Sequence, residues 1–107
     1  IKNEKLSNKF WATASIMAAY YEILNVSSNW LIKKGINKTT ANNYISELFF
    51  SLSQDAVNKK SQGFKKLVAD SQTPKGLNMQ VLNELKRGKF YTKFTKAMDN
   101  INKRVSS

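Results

Sequence analysis

The run FWATASIMAAYYEIL, from Phe10 to Leu24, is apolar or aromatic at every position except Thr13, Ser15 and Glu22. It contains neither Pro nor Gly and is too long for a typical strand, so it reads as a helix. A surface helix keeps one apolar stripe and one polar face, whereas this one is apolar almost all round. It therefore has to be covered on more than one side. It is too short, and too closely flanked by Lys and Asn, for a membrane span of about 20 apolar residues. Two modes of burial remain: the middle of a helical domain, or a helix shared with a second chain. If the helix runs from about Ser7 to about Lys34, it measures roughly 42 Å at ~1.5 Å per residue. A compact domain of this size has a diameter of roughly 34 Å. Unless Ser27, Ser28 and Asn29 break it, the helix overhangs its own domain, which favours an intertwined dimer.

The whole chain is 107 residues, enough for one domain with a real core but not for a large enzyme of several domains. It begins at Ile1 rather than Met and reads as a piece of a longer protein, with no secretory or transit-like segment in these residues. Cys and His are both absent. That removes disulfides, thiol nucleophiles, zinc sites of the usual kind and histidine acid–base catalysis. The net charge of +11 raises nucleic acid as a partner. However, Lys and Arg are scattered from Lys2 to Arg104, mostly singly or in pairs. The one suggestive row, Lys89, Lys93 and Lys96, has the spacing of a single helical face, and its plain reading is a solvated surface.

Along the chain, residues 1–6 read as a frayed remnant of an upstream linker and residues 7–107 as one helical domain. Phe10, Ala14, Met17, Tyr21 and Leu24 recur at helical spacing, with Trp11 and Ile23 on another side. The helix continues through Trp30 and Leu31 to Gly35, a good helix-ending residue. Asn37 is a plausible N-cap for the next helix, which carries Ala41, Tyr44, Ile45, Leu48, Phe49, Leu52 and Ala56 and should run to about Lys60. So short a connection favours antiparallel packing. After Ser61-Gln62-Gly63, a short amphipathic segment holds Phe64, Leu67 and Val68. A helix from about Leu77 turns Met79, Val81, Leu82 and Leu85 inward and ends at Gly88. The last helix buries Phe90, Phe94, Ala97 or Met98, Ile101 and Val105. The chain is thus expected to be all-α, with about five helices, the first of them long.

The turn Thr73-Pro74-Lys75-Gly76-Leu77-Asn78 leads directly into a helix, whose N–H groups and positive dipole end suit an anion such as a carboxylate. Thr73 can donate a hydroxyl, Gly76 lets backbone approach a ligand, and Asn78 offers donor and acceptor. An ordinary Pro-Gly turn capped by Thr73 or a neighbour accounts for the same residues.

The segment TPKGLNMQVLNEL resembles the Ser/Thr-Pro-Gly-Gly turn and following helix of the C-terminal domain of the pyrroline-5-carboxylate reductase family. It is most similar to divergent members whose turn reads TPGGLNEQ. Thr73, Pro74, Gly76, Leu77, Asn78 and Gln80 match that form. Upstream, WATASIMAAYYEILNVSSNWLIKKGINKTTANNYI resembles the same domain's long first helix, its Gly-containing turn and the start of the next helix. The likeness covers about Ser7 to Val105.

The resemblance implies an intertwined homodimeric helical domain of the 6-phosphogluconate dehydrogenase C-terminal-like fold. It implies that a Rossmann domain binding NAD(P)H precedes it, in a cytoplasmic reductase of the kind used in proline biosynthesis. A small carboxylate-bearing imine or related substrate is then reduced by hydride transfer, with its carboxylate held at the turn. Carried over by position, the substrate-binding residues are Thr73, Gly76, Leu77 and Asn78, with Lys75 beside them in the same turn; the dimer interface is expected on the apolar helix at Phe10, Trp11, Ala14, Met17, Tyr20, Tyr21 and Leu24. Three departures stand out. Lys75 replaces the first Gly of the pair and brings an ammonium that can itself hold a carboxylate. Asn78 replaces a Thr, and SIMAAY (Ser15 to Tyr20) stands where the authentic enzymes carry Gly-Ser-Gly-Pro. The implied enzyme is therefore a related reductase whose substrate need not be pyrroline-5-carboxylate itself. Gly35, Gly63, Gly76 and Gly88 stand too far apart for a dinucleotide fingerprint, so these residues alone should bind no cofactor and reduce nothing. The competing reading is a basic helical binding module for nucleic acid or an acidic protein.

Overall fold

The computed structural model describes residues 4–71 and 75–106, with side chains from Leu6 onward, and over these residues it contains helices and turns but no strand. The elements are α1 (Glu4–Ala14), α2 (Met17–Lys33), α3 (Lys38–Asn58), a 3-10 turn (Lys60–Gln62), α4 (Phe64–Asp70), α5 (Leu77–Arg87) and α6 (Phe90–Ser106). Each expected helical segment is present, and the all-α class is as the periodicity predicts. Among the described residues no helix is long and apolar enough to cross a membrane.

The first segment differs from expectation in one respect. It is two helices, divided by a turn at Ser15 and Ile16. Side-chain hydroxyls that bond back to the helix accompany the break. Thr13 Oγ1 donates to the carbonyl of Phe10 at 2.9 Å, and Ser15 Oγ to that of Trp11 at 2.8 Å. Such back-bonding competes with the helical ladder and bends it. The Ser27–Asn29 region, where a break was the sequence's own alternative, stays helical. There Asn29 Nδ2 donates to Asn25 Oδ1, Asn25 Nδ2 donates to Glu22 Oε1, and Ser28 Oγ donates to Asn42 Oδ1 on the next helix. Helix α1 begins at Glu4, ahead of Ser7.

The chain divides into two compact units, Ile1–Ala18 with Thr73–Ser107, and Ala19–Gln72. In the first unit α6 packs on α1 and on α5. Asn8 Nδ2 donates to Ser106 Oγ at 3.3 Å, and Ala12 is buried. Met79, Leu82, Met98 and Ile101 are half-buried, as their inward assignment suggests, but Val81, Leu85, Phe90, Phe94 and Val105, also assigned inward, are exposed.

In the second unit α2 ends in a Schellman arrangement. The N–H of Ile36 reaches the carbonyl of Leu31 and that of Gly35 reaches Ile32, with Gly35 at φ 102°, a conformation that favours glycine. Asn37 then caps α3 through Thr40 N at 2.8 Å. The two helices run antiparallel. Ser28 is tied to Asn42, and the ring of Tyr20 stands edge-on to that of Phe49 at 6.1 Å. Ala41 and Ile45 are the buried apolar residues of α3.

The connection between α5 and α6 places strain on an unexpected residue. Gly88, the apparent helix stop, has φ −77°, which any residue adopts. Its neighbour Lys89 is the left-handed residue, at φ 61°. Lys89 therefore precedes α6, and of the Lys89, Lys93, Lys96 row only the last two lie on that helix. For an L-residue the left-handed conformation costs roughly 1–2 kcal/mol. Part of that gain is offset by glycine's greater freedom in the unfolded chain. Lys89→Gly is accordingly expected to stabilise the protein by about 0.5–1 kcal/mol and to raise Tm by a few degrees in a thermal melt. An unchanged or lower Tm would show that the turn does not hold this conformation.

Candidate substrate-side turn and dimer face

Of the expected substrate-binding residues, Lys75, Gly76, Leu77 and Asn78 are placed at the start of α5, and Thr73 lies outside the described residues. Gly76 is the N-cap residue, left-handed at φ 67° and ψ 23°, and it offers no side-chain cap. Its carbonyl accepts from Gln80 N at 2.9 Å, closing the first helical turn. Among the described residues, a Cβ built on Gly76 would meet nothing within 4 Å. The left-handed dihedral is what asks for glycine. Lys75, Leu77 and Asn78 are exposed, and the first turn of α5 carries no acid. A single cation at the positive end of an eleven-residue helix, with an amide side chain one residue into it, has the electrostatic sign that suits a carboxylate.

The expected interface residues fall in both units. Phe10, Trp11, Ala14 and Met17 belong to the first, and Tyr20, Tyr21 and Leu24 to the second. Their own chain leaves most of them uncovered. Trp11 is 66% exposed and Met17 63%, Phe10 and Tyr21 are more than half exposed, and only Tyr20 and Leu24 are half-buried. Trp30, Tyr44, Phe50 and Leu52 are exposed as well. Scattered apolar residues on a surface need no explanation, but so many large aromatic side chains left exposed within each unit do.

One feature of the second unit is not marked by the hydrophobic pattern. Between α2 and α3 lies an open groove of about 480 Å³, lined by Tyr21, Leu24, Ile32 and Ile45 on its apolar side and by Asn25, Ser28, Asn29, Lys38, Asn42 and Ser46 on its polar side. Its signal was the NVSSN run at 25–29, five residues with a single apolar member in an otherwise apolar helix, which read instead as a possible break.

The family described as pyrroline-5-carboxylate reductase dimerisation matches this chain over residues 4–107. No curated protein and no solved structure matches it.

Proposed function

Since the chain belongs to the pyrroline-5-carboxylate reductase dimerisation family, we propose that it is the dimerisation and substrate-side domain of an NAD(P)-dependent reductase that transfers hydride to an imine, or a related small substrate, bearing a carboxylate. The family match across nearly the whole chain is the observation that carries this reading. In this reading two copies pair through Phe10, Trp11, Ala14, Met17, Tyr20, Tyr21 and Leu24, and a Rossmann domain lies ahead of α1 in the parent protein. The chain's own residues do not fit a dinucleotide. Its four glycines stand apart at 35, 63, 76 and 88, and no strand among the described residues leads into a phosphate-binding turn. NAD(P)H is therefore assigned to the preceding domain, where it supplies the hydride.

The work left to this domain is placement. Thr73, Lys75, Gly76, Leu77 and Asn78 hold the substrate's carboxylate, and that fixes the distance and angle at which the imine carbon faces its reductant. Lys75 gives the turn a formal charge where the family's Gly-Gly pair gives only backbone. This favours a monoanionic substrate over a neutral one.

The test uses the full-length parent protein with cyclic imino acids and either nicotinamide cofactor, read by loss of reduced-cofactor absorbance. Turnover with at least one such substrate is expected, and none across the panel overturns the reading. In that enzyme Asn78→Ala should lower kcat/KM by about tenfold to a hundredfold, the worth of one hydrogen bond to a charged group, while cofactor affinity stays unchanged. Unaltered kinetics would return Asn78 to a structural role.

A further inference from the structure

Within the first unit, α5 and α6 together are strongly basic. From Leu77 to Ser106 seven cations stand against two acids, Glu84 and Asp99. Lys86, Arg87 and Lys89 fall within four residues at the junction of the helices, where the N–H of Lys89 donates to the carbonyl of Lys86 at 3.0 Å. Lys93, Lys96 and Lys103 follow on α6 at steps of three and seven residues, so they share one face. That face is not the packed one. Helix α6 meets α1 and α5, and its Met98 and Ile101 are half-buried, whereas all six of these cations are exposed. Among the described residues the ion pairs within 4 Å are Lys59–Asp55 and Lys66–Asp70, both in the second unit, so no carboxylate neutralises any of the six. Like charges crowded in this way repel one another, and Lys89 also bears the left-handed strain that a glycine would relieve. Stability alone explains neither feature, whereas an anionic ligand explains both.

We propose that α6 and the turn before it form a docking surface for double-stranded nucleic acid, gripped by its phosphates and not read by its bases. The inference goes beyond the reductase reading and does not depend on it. Charge complementarity calls for a polyanion, and the form of the surface selects among polyanions. The row on α6 alone is about 15 Å long at ~1.5 Å per residue, more than one phosphate group spans. A duplex carries one negative charge per about 1.7 Å of its axis and rewards each neutralised phosphate by releasing counterions. A single strand is held in large part by stacking on aromatic rings, and between Lys96 and Lys103 the basic face carries Asn100 and no ring. A lipid surface takes up the apolar face of an amphipathic helix, and here that face meets α1 and α5. Protein interfaces are depleted of lysine, which supplies all but one of the six cations.

The test is the fluorescence anisotropy of a labelled duplex of mixed sequence, titrated with the 107-residue chain. Binding is expected with a dissociation constant of about 10⁻⁵ M near physiological salt, and with a log–log salt slope of about −5, as six phosphate contacts require. Replacing Lys93, Lys96 and Lys103 together by Gln should weaken binding by about tenfold or more and make the slope shallower by about 3. Replacing Lys33, Lys60 and Lys65 by Gln removes the same charge from the second unit and should leave the slope unchanged. All six side chains are exposed, and circular dichroism checks that both variants keep their helices. Absence of binding overturns the proposal, as does an equal loss in the two triple variants, which would reduce it to net charge. A single strand of the same length bound as tightly as the duplex overturns the choice of occupant. Sedimentation with phosphatidylserine vesicles in a chain that ignores the duplex also overturns it. None of these outcomes bears on turnover by the parent reductase, so either reading can fail while the other stands.

Discussion

Met17→Lys is expected to yield a chain that no longer dimerises, with a dissociation constant raised by a factor of about 10³ or more. In the single chain Met17 is the first residue of α2 and 63% exposed. An ammonium there is solvated, so the variant has no reason to damage α1 or α2 themselves. The penalty arises only when a second copy covers that position and strips the charge of water with no partner to neutralise it. Burying an unpaired charge costs several kcal/mol, and a twofold axis applies the cost at two places in one interface. Tyr21→Glu should act in the same direction, because Tyr21 is also more than half exposed and lines the groove of the second unit. Sedimentation equilibrium is the direct measurement, with helix content by circular dichroism beside it. An unchanged dimer in both variants would remove this face from the interface. A monomer that also loses its helices would show that folding and pairing are one event, as in obligate homodimers.

How far the fold was readable depends on where each signal resides. The end of α2 and the start of α3 were legible because they are set within a few residues. Gly35 supplies a left-handed turn and Asn37 a side chain that reaches Thr40 N, and both preferences are intrinsic to those residue types. The break at Ser15 was not legible, because Ser and Thr back-bond in many helices that stay unbroken. Ser27 Oγ reaches the carbonyl of Ile23 within an intact α2, and the difference lies in the neighbouring contacts of Ser28 and Asn29. At Gly88 and Lys89 the composition pointed to the wrong member of the pair, since the strained position is occupied by the residue less suited to it. The candidate turn was legible as the helix start at Leu77 and as the motif around Gly76. The α2–α3 groove was not, because hydrophobic periodicity identifies an apolar face without saying whether a neighbour in the same chain covers it. Met79 and Leu82 are half-buried, whereas Phe10, Trp11 and Tyr21, equally periodic, are exposed. The same pattern is half-buried in one place and exposed in the other.

Substitutions at Gly76 separate the two reasons a glycine can be needed there. The first is conformational. At φ 67° and ψ 23°, an L-residue is disfavoured by roughly 1–2 kcal/mol, and a β-branched one by more. Asn enters this region far more readily. Gly76→Val should therefore lower Tm by several degrees and Gly76→Asn by much less. Among the described residues no clash contributes, because a Cβ would meet none of them within 4 Å. The second reason is room for a ligand, and it is testable separately. If a carboxylate lies over the backbone of Gly76, the side chain of Gly76→Asn occupies space that the described residues leave open and the substrate needs. The full-length enzyme carrying Gly76→Asn should then keep its stability and its cofactor affinity while KM rises by about tenfold or more, a loss on the order of 1.4 kcal/mol of binding. Gly76→Val should lose both stability and affinity. A Gly76→Asn enzyme with the wild-type KM would mean that the glycine serves only to start α5, and that the substrate's carboxylate is held elsewhere. A Gly76→Val protein as stable as the wild type would show that the turn is not left-handed in solution, and the geometric case for the site would fall with it.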